Sequence, residues 1–502
     1  MLTEKHIEYL REQKAQALQK GASGLLTEAL VSALKAMIDQ GEFARTQRLP
    51  PSRVLAASIQ VSRGTVERCY SALESEGYVH REVGRGSFIS PRERPLLGKR
   101  SVLQPTLDNA FFSNTALSRR STNGAQIAFD SVPYQRPFTP GVPETRNFPM
   151  HIWLKLYQQV AKEEGALAIG GSRVKGSEAL CGVISDYLRA ERGVRASAEQ
   201  VIIVSSTQQA LSLCAQVLAD ADDTVYMENP GYPGAIRAFR AAQLNVQPIS
   251  VDDSGIDVES ISRSAVRAKA IYLTPSNQYP TGSILSLQRR LALIAQAKQR
   301  GMWIIEDDYD SEFHYSGVAT TSLQGLDGYQ RTIYLGTFSK TLLPALGVAY
   351  MVVPEPLVEP MVAMRRAMDG AVSPLTQLTL ARFMQQGHFR EYVRIMRKMY
   401  ATRVERFIQL LKQYVGDKAT IIYPECGLQV LCLVENKAIE RFVIAQSIAS
   451  GIALQGLSDL CCGDDALSGW VMGFAAFDPI EAERYVKQFA DILHQYDEYD
   501  GK

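Results

Sequence analysis

A chain of 502 residues is too long for one small core, and two or more domains are expected. With 46% hydrophobic and 21% charged residues it has the composition of a globular chain. No apolar run approaches a membrane span, and the opening MLTEKHIEYLREQKAQ is too charged to read as a signal peptide, so a cytoplasmic protein is expected. Seven cysteines show no metal or redox spacing, so free thiols are expected. The net charge of +1 hides an asymmetry: residues 1–100 hold sixteen Lys/Arg against eleven Asp/Glu, and the remainder 38 against 42. A basic first fifth on an acidic body suits a nucleic-acid reader joined to a sensing module.

Residues 1–20 read as a polar helix. A helix from about Leu25 to Gln40 places Leu26, Leu30, Ala33, Leu34 and Met37 on one face, and Gly41 ends it. The loop RLPPSR, Arg48–Arg53, leads into a short helix, Ser52–Ser58. Ser62 is a good N-cap for a helix that runs to about Glu76 before Gly77 stops it. Two short helices joined by a tight turn predict a helix-turn-helix, with Arg63, Thr65 and Arg68 on the exposed start of the second. Tyr78–His80 and Gly86–Ile89 predict a hairpin wing carrying Arg81 and Arg85. From 91 to about 135, scattered Pro, Ser, Thr and Asn break any period and predict a linker.

The second domain begins near Phe138. Strand and helix patterns alternate to about residue 353, as a mostly parallel sheet requires. Five of its turns carry chemistry. Ser205-Ser-Thr-Gln-Gln209 follows the strand Val201–Val204 and opens a helix, offering free backbone N–H groups to a phosphate. After the strand Thr224–Met227, Tyr232 could stack on a planar ring. After Ala270–Leu273, Asn277 or Gln278 could hydrogen-bond a ring oxygen. Period-two alternation puts Trp303, Ile305, Asp307 and Tyr309 on one face, so Asp307 and Tyr309 emerge where open α/β sheets bind ligands. A buried Asp there can keep a pyridine nitrogen protonated, and Tyr309 could reach a phenolic oxygen. Lys340 follows the strand Ile333–Leu335 between hydroxyl residues, where a lysine can form a Schiff base with an aldehyde. Pro374–Tyr414 reads as long helices, and Thr420–Glu435 with Ser468–Phe474 as a small α+β subdomain.

The stretches TPSNQYPTG, EDDYDSEF and YLGTFSKTLLPAL resemble the aminotransferase-like domain of the MocR/GabR regulators within the GntR family. The run RLPPSRVLAASIQVSRGTVERCYSALESEGYVHREVGRGSFI resembles the GntR-type winged helix-turn-helix, and the likeness extends over residues 22 to 490. It implies three parts: a DNA-binding domain at 1–90, a linker at 91–135, and at 136–502 a fold-type I aminotransferase-like α/β domain with a small C-terminal subdomain. It also implies pyridoxal 5′-phosphate (PLP) as cofactor. Lys340 would form the Schiff base and Asp307 would meet the ring nitrogen. Tyr309 and Asn277 would lie near the ring oxygen, with Tyr232 on the ring face. Ser206, Thr207, Thr337 and Ser339 would surround the phosphate. Arg48, Arg53, Ser62, Arg63, Thr65, Arg85 and Gly86 would meet operator DNA. Homodimerisation and an amino-compound effector follow from the same resemblance.

The chain departs from that family's pattern in places. Gly347 stands where the family usually has a phosphate-clamping arginine. Ser206-Thr207 replaces Gly-Ala, and Leu180-Cys181 replaces Leu-Arg. Trp470–Ala475 lacks the arginine that often grips a substrate carboxylate in aminotransferases. These departures favour a regulator over a working aminotransferase. A scaffold domain, or one binding a ligand other than PLP, is the alternative reading.

Overall fold

The computed structural model describes residues 3–19, 23–44, 46–82, 84–90, 136–169, 171, 173–315, 320–462 and 467–500. The chain forms two compact units, Met1–Ser113 and Asn114–Lys502. The segment read as a linker, 91–135, lies outside the described residues.

Among the described residues the first unit has four helices, Glu4–Gln19, Ser23–Asp39, Ser52–Ile59 and Arg63–Ser75, then a hairpin of β1 (Val79–Glu82) and β2 (Gly86–Ile89). Leu30, Leu34, Met37, Leu55, Ile59, Val66, Leu73, Val79 and Ile89 form its core. The wing is larger than expected, because β1 pairs from Val79↔Ile89 to Glu82↔Gly86 and the loop at Arg48 bridges Phe88 on the other side. The first helix buries Leu10 in the same core. Its Arg11 donates to the Ser58 carbonyl (2.9 and 2.7 Å), and its Lys14 donates to those of Ile59 (3.1 Å) and Gln60 (2.8 Å). Those carbonyls close a helix C-terminus and have no intrahelical partner, so two basic side chains cap it. Ser62 caps the recognition helix as expected, its Oγ accepting from Thr65 N at 3.1 Å. Ser62→Ala is expected to cost about 1 kcal/mol of local stability. Hydrogen exchange of amides 63–66 in the full chain should accelerate accordingly, and unchanged protection would contradict the capping role.

The second unit is built on an eight-stranded sheet. Its strands are β3 (Val201–Val204), β4 (Thr224–Asn229), β5 (Asn245–Asp252), β6 (Gly255–Ile256), β7 (Ala268–Leu273), β8 (Trp303–Asp308), β9 (Thr332–Thr337) and β10 (Ala349–Val352). The order is β3-β10-β9-β8-β7-β4-β5-β6, parallel from β9 to β5 and antiparallel where β10 and β6 pair. Parallel strands buried on both faces need continuous apolar runs. VIIV in β3 and TIYLGT in β9 are buried throughout. Helices Thr207–Leu218 and Pro233–Ala241 pack on one face, and Leu287–Arg300 on the other. Because β4, β7, β8 and β9 are parallel neighbours, their C-terminal loops meet at one edge.

The long helices Pro374–Gln385 and His388–Tyr414 lead to an antiparallel sheet of β11 (Thr420–Ile422), β12 (Gln429–Leu433), β13 (Gln455–Gly456) and β14 (Gly469–Gly473), ordered β11-β12-β14-β13. Helices Lys437–Ala449 and Pro479–Asp500 complete this subdomain. The strap at 137–141 ties it to the start of the unit, since Ala453 N donates to Pro137 O and Gly473 N to Phe138 O, both at 2.9 Å.

Candidate functional site

The C-terminal ends of the parallel strands surround a cavity of about 270 Å³. Ser206, Thr207, Tyr232, Asp307, Tyr309, Thr337, Ser339 and Lys340, eight of the nine residues assigned to a cofactor from sequence, line it.

Strand β8 explains how adjacent acids serve different ends. Alternation turns Asp307 to the cavity and Glu306 and Asp308 to the opposite face. Glu306 accepts from Leu323 N (2.8 Å) and Gln324 N (2.9 Å), which start the short helix Leu323–Leu326. Asp308 accepts from Arg192 Nε at 2.8 Å and from the Tyr334 hydroxyl at 2.5 Å. Asp307 Oδ2 accepts from the Tyr272 hydroxyl at 2.8 Å, while its Oδ1 is buried without a protein partner. Burial pushes the Asp307 carboxyl up to about 7, against the pull of the Tyr272 hydroxyl and Lys340 and with a push from Asp308. The Tyr309 hydroxyl, one residue past the strand end, is likewise buried and without a partner.

Lys340 lies just beyond β9. Its Nζ donates to Gly141 O at 2.7 Å. Gly141 has φ +66°, and a Cβ there would stand 2.8 Å from Nζ, so the strap needs glycine at this point. Burial lowers the lysine pKa, with Asp310 and Asp307 opposing it. A desolvated lysine is more readily a neutral amine and hence a nucleophile.

At the far end Ser206 Oγ accepts from Gln209 N at 3.2 Å and caps the helix Thr207–Leu218. Thr337 Oγ1 accepts from Ser339 N at 3.1 Å. A helix N-terminus with hydroxyls around it suits an anion. Gly347 follows the turn Pro344–Leu346 with φ +58°, and no atom lies within 4 Å of where its Cβ would be.

Asn277 corrects the sequence expectation. It does not line the cavity; its Nδ2 donates to buried Asp310 Oδ1 at 2.8 Å, and Gly427 packs against the pair. Tyr279, two residues on, lines the cavity instead, edge-on to Tyr232 (5.7 Å between centroids) and Tyr309 (6.4 Å). Gln278, the other candidate, is occupied with backbone, donating to Pro230 O at 2.8 Å. Sequence reading also missed Tyr272, Thr274, Gln208, Gly141 and Gln429, which all line the cavity. Alternation along β7 puts Ala270, Tyr272 and Thr274 on one side, which was the available signal for two of them.

The cavity residues fit PLP. Asp307 Oδ1 awaits a donor such as a pyridinium N–H, and the Tyr309 hydroxyl awaits a partner such as a ring oxygen. Lys340 supplies an amine, and the capped helix start supplies N–H groups and hydroxyls for a phosphate.

In the first unit, Arg48, Arg53, Arg63 and Arg85 are exposed. The Arg48 guanidinium lies against Gly86, where φ is +114° and a side chain would collide with it. Arg85 pairs with Glu82 at 2.6 Å and is 74% exposed. Thr65 is a correction: it is buried, and its hydroxyl is held by Ser62 Oγ at 2.8 Å, so it stabilises the helix start and has no free face for DNA. The Ser62 hydroxyl is engaged in the same cap. Arg68 donates to Thr65 Oγ1 at 3.4 Å. Arg81 is neutralised by Glu67 (3.5 Å) and Glu74 (3.2 Å).

Comparison with known proteins joins the two units. The family model for bacterial regulatory proteins of the gntR family matches residues 26–89, and that for aminotransferase class I and II matches 144–453. The probable rhizopine catabolism regulatory protein MocR of Rhizobium meliloti is 32% identical, over 92% of each chain. The HTH-type pyridoxine biosynthesis transcriptional regulator PdxR of Corynebacterium glutamicum is 27% identical, over 92% of this chain and 95% of its own. The α-aminoadipate aminotransferase LysN of Thermus thermophilus shares the fold of the second unit, with a TM-score of 0.69 at 24% identity over 76% of this chain and 99% of its own. Among the described residues, no helix is long and apolar enough to cross a membrane. The chain belongs to the MocR-like GntR-family transcriptional regulators, with a winged helix-turn-helix followed by a fold-type I aminotransferase domain.

Proposed function

We propose that this regulator binds PLP through Lys340, senses a small amino compound in the same cavity, and changes its hold on operator DNA in response. The observation that carries the reading is the pair of buried, partnerless polar atoms, Asp307 Oδ1 and the Tyr309 hydroxyl, at the cavity that also holds Lys340. PLP, when bound, supplies an electron-withdrawing ring and an aldehyde. The chain's own residues do the rest. Asp307 shares a proton with the ring nitrogen, Tyr272 orients Asp307, and Tyr232 and Tyr279 flank the ring. Arg48, Arg53, Arg63 and Arg85 meet the DNA backbone and grooves, with Gly86 letting the wing approach. The regulator acts as a cytoplasmic homodimer and is not a working aminotransferase. Support for the last point comes from relatives named as regulators and from Trp470–Ala475, which offers no guanidinium for a substrate carboxylate.

The test is fluorescence anisotropy of the full-length protein on the DNA upstream of its own gene, with and without PLP and a panel of primary amines. Site-specific binding that shifts with PLP or an amine is expected. Binding that is absent, or indifferent to every addition, would overturn the proposal. Steady turnover of an amino donor with a keto acid would overturn the non-enzymatic part.

The phosphate end carries a second expectation. Phe338 N donates to Val348 O at 3.1 Å, which sets Gly347 beside the Thr337–Ser339 edge of the cavity. An arginine here would add a charge-assisted contact worth about 1.5–3 kcal/mol, while the roughly 1–2 kcal/mol for left-handed backbone falls on folding stability and not on binding. Gly347→Arg is therefore expected to tighten PLP binding by about 1.5–3 kcal/mol, roughly ten- to hundredfold, and to lower the stability of the second unit. Equilibrium dialysis reads this directly, and weaker binding would mean that position 347 does not reach the phosphate.

A further inference from the structure

We infer that the cavity selects small primary amines ending in a neutral amide or hydroxyl and discriminates against those ending in a carboxylate. This rests on the PLP reading above and adds the ligand's chemical class. Among the described residues lining the cavity, Lys340 is the one cation, and it is committed to the cofactor. Asp307 is the one acid, and the phosphate expected near Ser206 and Thr207 adds further negative charge. Asp310 and Glu228 are buried close behind, and burial pushes both up, to about 8 and about 7, so they favour the neutral form and offer a ligand carboxylate no cation. A ligand carboxylate would meet the phosphate and Asp307 with no counter-cation among the described lining residues of this chain, which is strongly unfavourable away from water.

The wall facing the strap carries a different signal. Gln429 starts β12 opposite Gly473 of β14 and is 8% exposed. Its side-chain amide lines the cavity and has no hydrogen-bond partner among the described residues. Gly473 cannot carry a side chain into this wall, because a Cβ would collide with the Thr139 carbonyl of the strap. The free hydrogen-bonding group on this side is therefore a neutral amide, which both donates and accepts. It matches an amide or hydroxyl on the ligand, and a buried polar group of this kind rejects partners that leave it poorly paired.

The experiment uses full-length protein loaded with PLP, with loading verified by visible absorption and by borohydride-trapped mass on Lys340. Calorimetric titration then compares isosteric pairs, glycinamide with glycine and β-alaninamide with β-alanine. The amide of each pair is expected to bind about tenfold or more tightly than the acid. Gln429→Arg, which places a guanidinium on the wall, is expected to reverse the order. A loaded protein that binds the acids as well as the amides, or binds neither, overturns the inference and leaves the cofactor assignment standing. A protein that takes up no PLP overturns both. A Gln429→Arg variant that loads fully and keeps the wild-type order removes Gln429 from the discrimination.

Discussion

Replacing Lys340 with alanine is expected to abolish covalent capture of PLP while leaving the fold intact. The wild-type chain, incubated with PLP and reduced with borohydride, should carry the trapped mass on Lys340. The variant should carry none there and should lose the lysine-dependent visible band. The physical grounds are local. Nζ is buried, its pKa is lowered by that burial, and its polar contact is the Gly141 carbonyl at 2.7 Å. The substitution therefore removes one hydrogen bond at the edge of a cavity and the cation near Asp307 and Asp310, two acids that burial already pushes toward the neutral form. Residual, reversible PLP binding through Asp307, the hydroxyls and the helix start should remain, weaker than wild type, and dialysis would measure it. Unchanged trapping in the variant would show that another amine captures the aldehyde, and the site as described would be wrong. Operator binding by the variant then separates two roles: a shifted response to PLP ties Lys340 to regulation, and an identical response confines it to cofactor retention.

Much of this site was legible in the sequence because parallel-sheet topology turns strand order into geometry. Once Val201–Val204, Thr224–Met227, Ala270–Leu273, the IIEDD strand and the strand before Lys340 are recognised, their C-terminal turns must converge. Period two then fixes which of Glu306, Asp307 and Asp308 faces the ligand. The misses share a cause. Asn277 and Tyr279 lie in one turn-rich loop, where no period assigns direction to either side chain. The structure uses Asn277 to satisfy Asp310, a carboxylate too deep to reach water. Gly141 and Gln429 come from segments distant in sequence, and only tertiary packing brings them to Lys340. Thr65 was misread for a related reason. The recognition helix offers its first turn to DNA, but a threonine three residues after a capping serine can be drawn into the cap.

The largest expected effect on stability falls behind the cavity, at Asp308. Its carboxylate is fully enclosed, with Arg192 Nε at 2.8 Å and the Tyr334 hydroxyl at 2.5 Å, and Arg192 Nη2 in turn donates to Ser276 Oγ at 2.8 Å. Burial alone would raise the Asp308 pKa, but Arg192 and the Ser311 and Tyr334 hydroxyls outweigh it and hold the group below its ordinary value. The cluster joins the helix Glu178–Arg192, strands β8 and β9, and the loop after β7, three of which border the cofactor cavity. Asp308→Ala leaves the Arg192 guanidinium buried and unpaired, so it is expected to cost about 3–5 kcal/mol, measured by chemical denaturation of the second unit's transition. Replacing both members, Arg192→Met with Asp308→Leu, should recover much of that loss, since the penalty lies in the stranded charge more than in the pair. The acid limb supplies a second readout. Because the folded pKa of Asp308 is depressed, its contribution is present above the unfolded value of about 3.9 and fades as pH falls through the folded one. The gap between wild type and Asp308→Ala should therefore narrow in strong acid. A single variant as stable as wild type at neutral pH would mean that water reaches Arg192 and that the pair does not hold β8 in place. In that case the orientation of Asp307 toward the cavity must be secured from its other side, by Tyr272 alone.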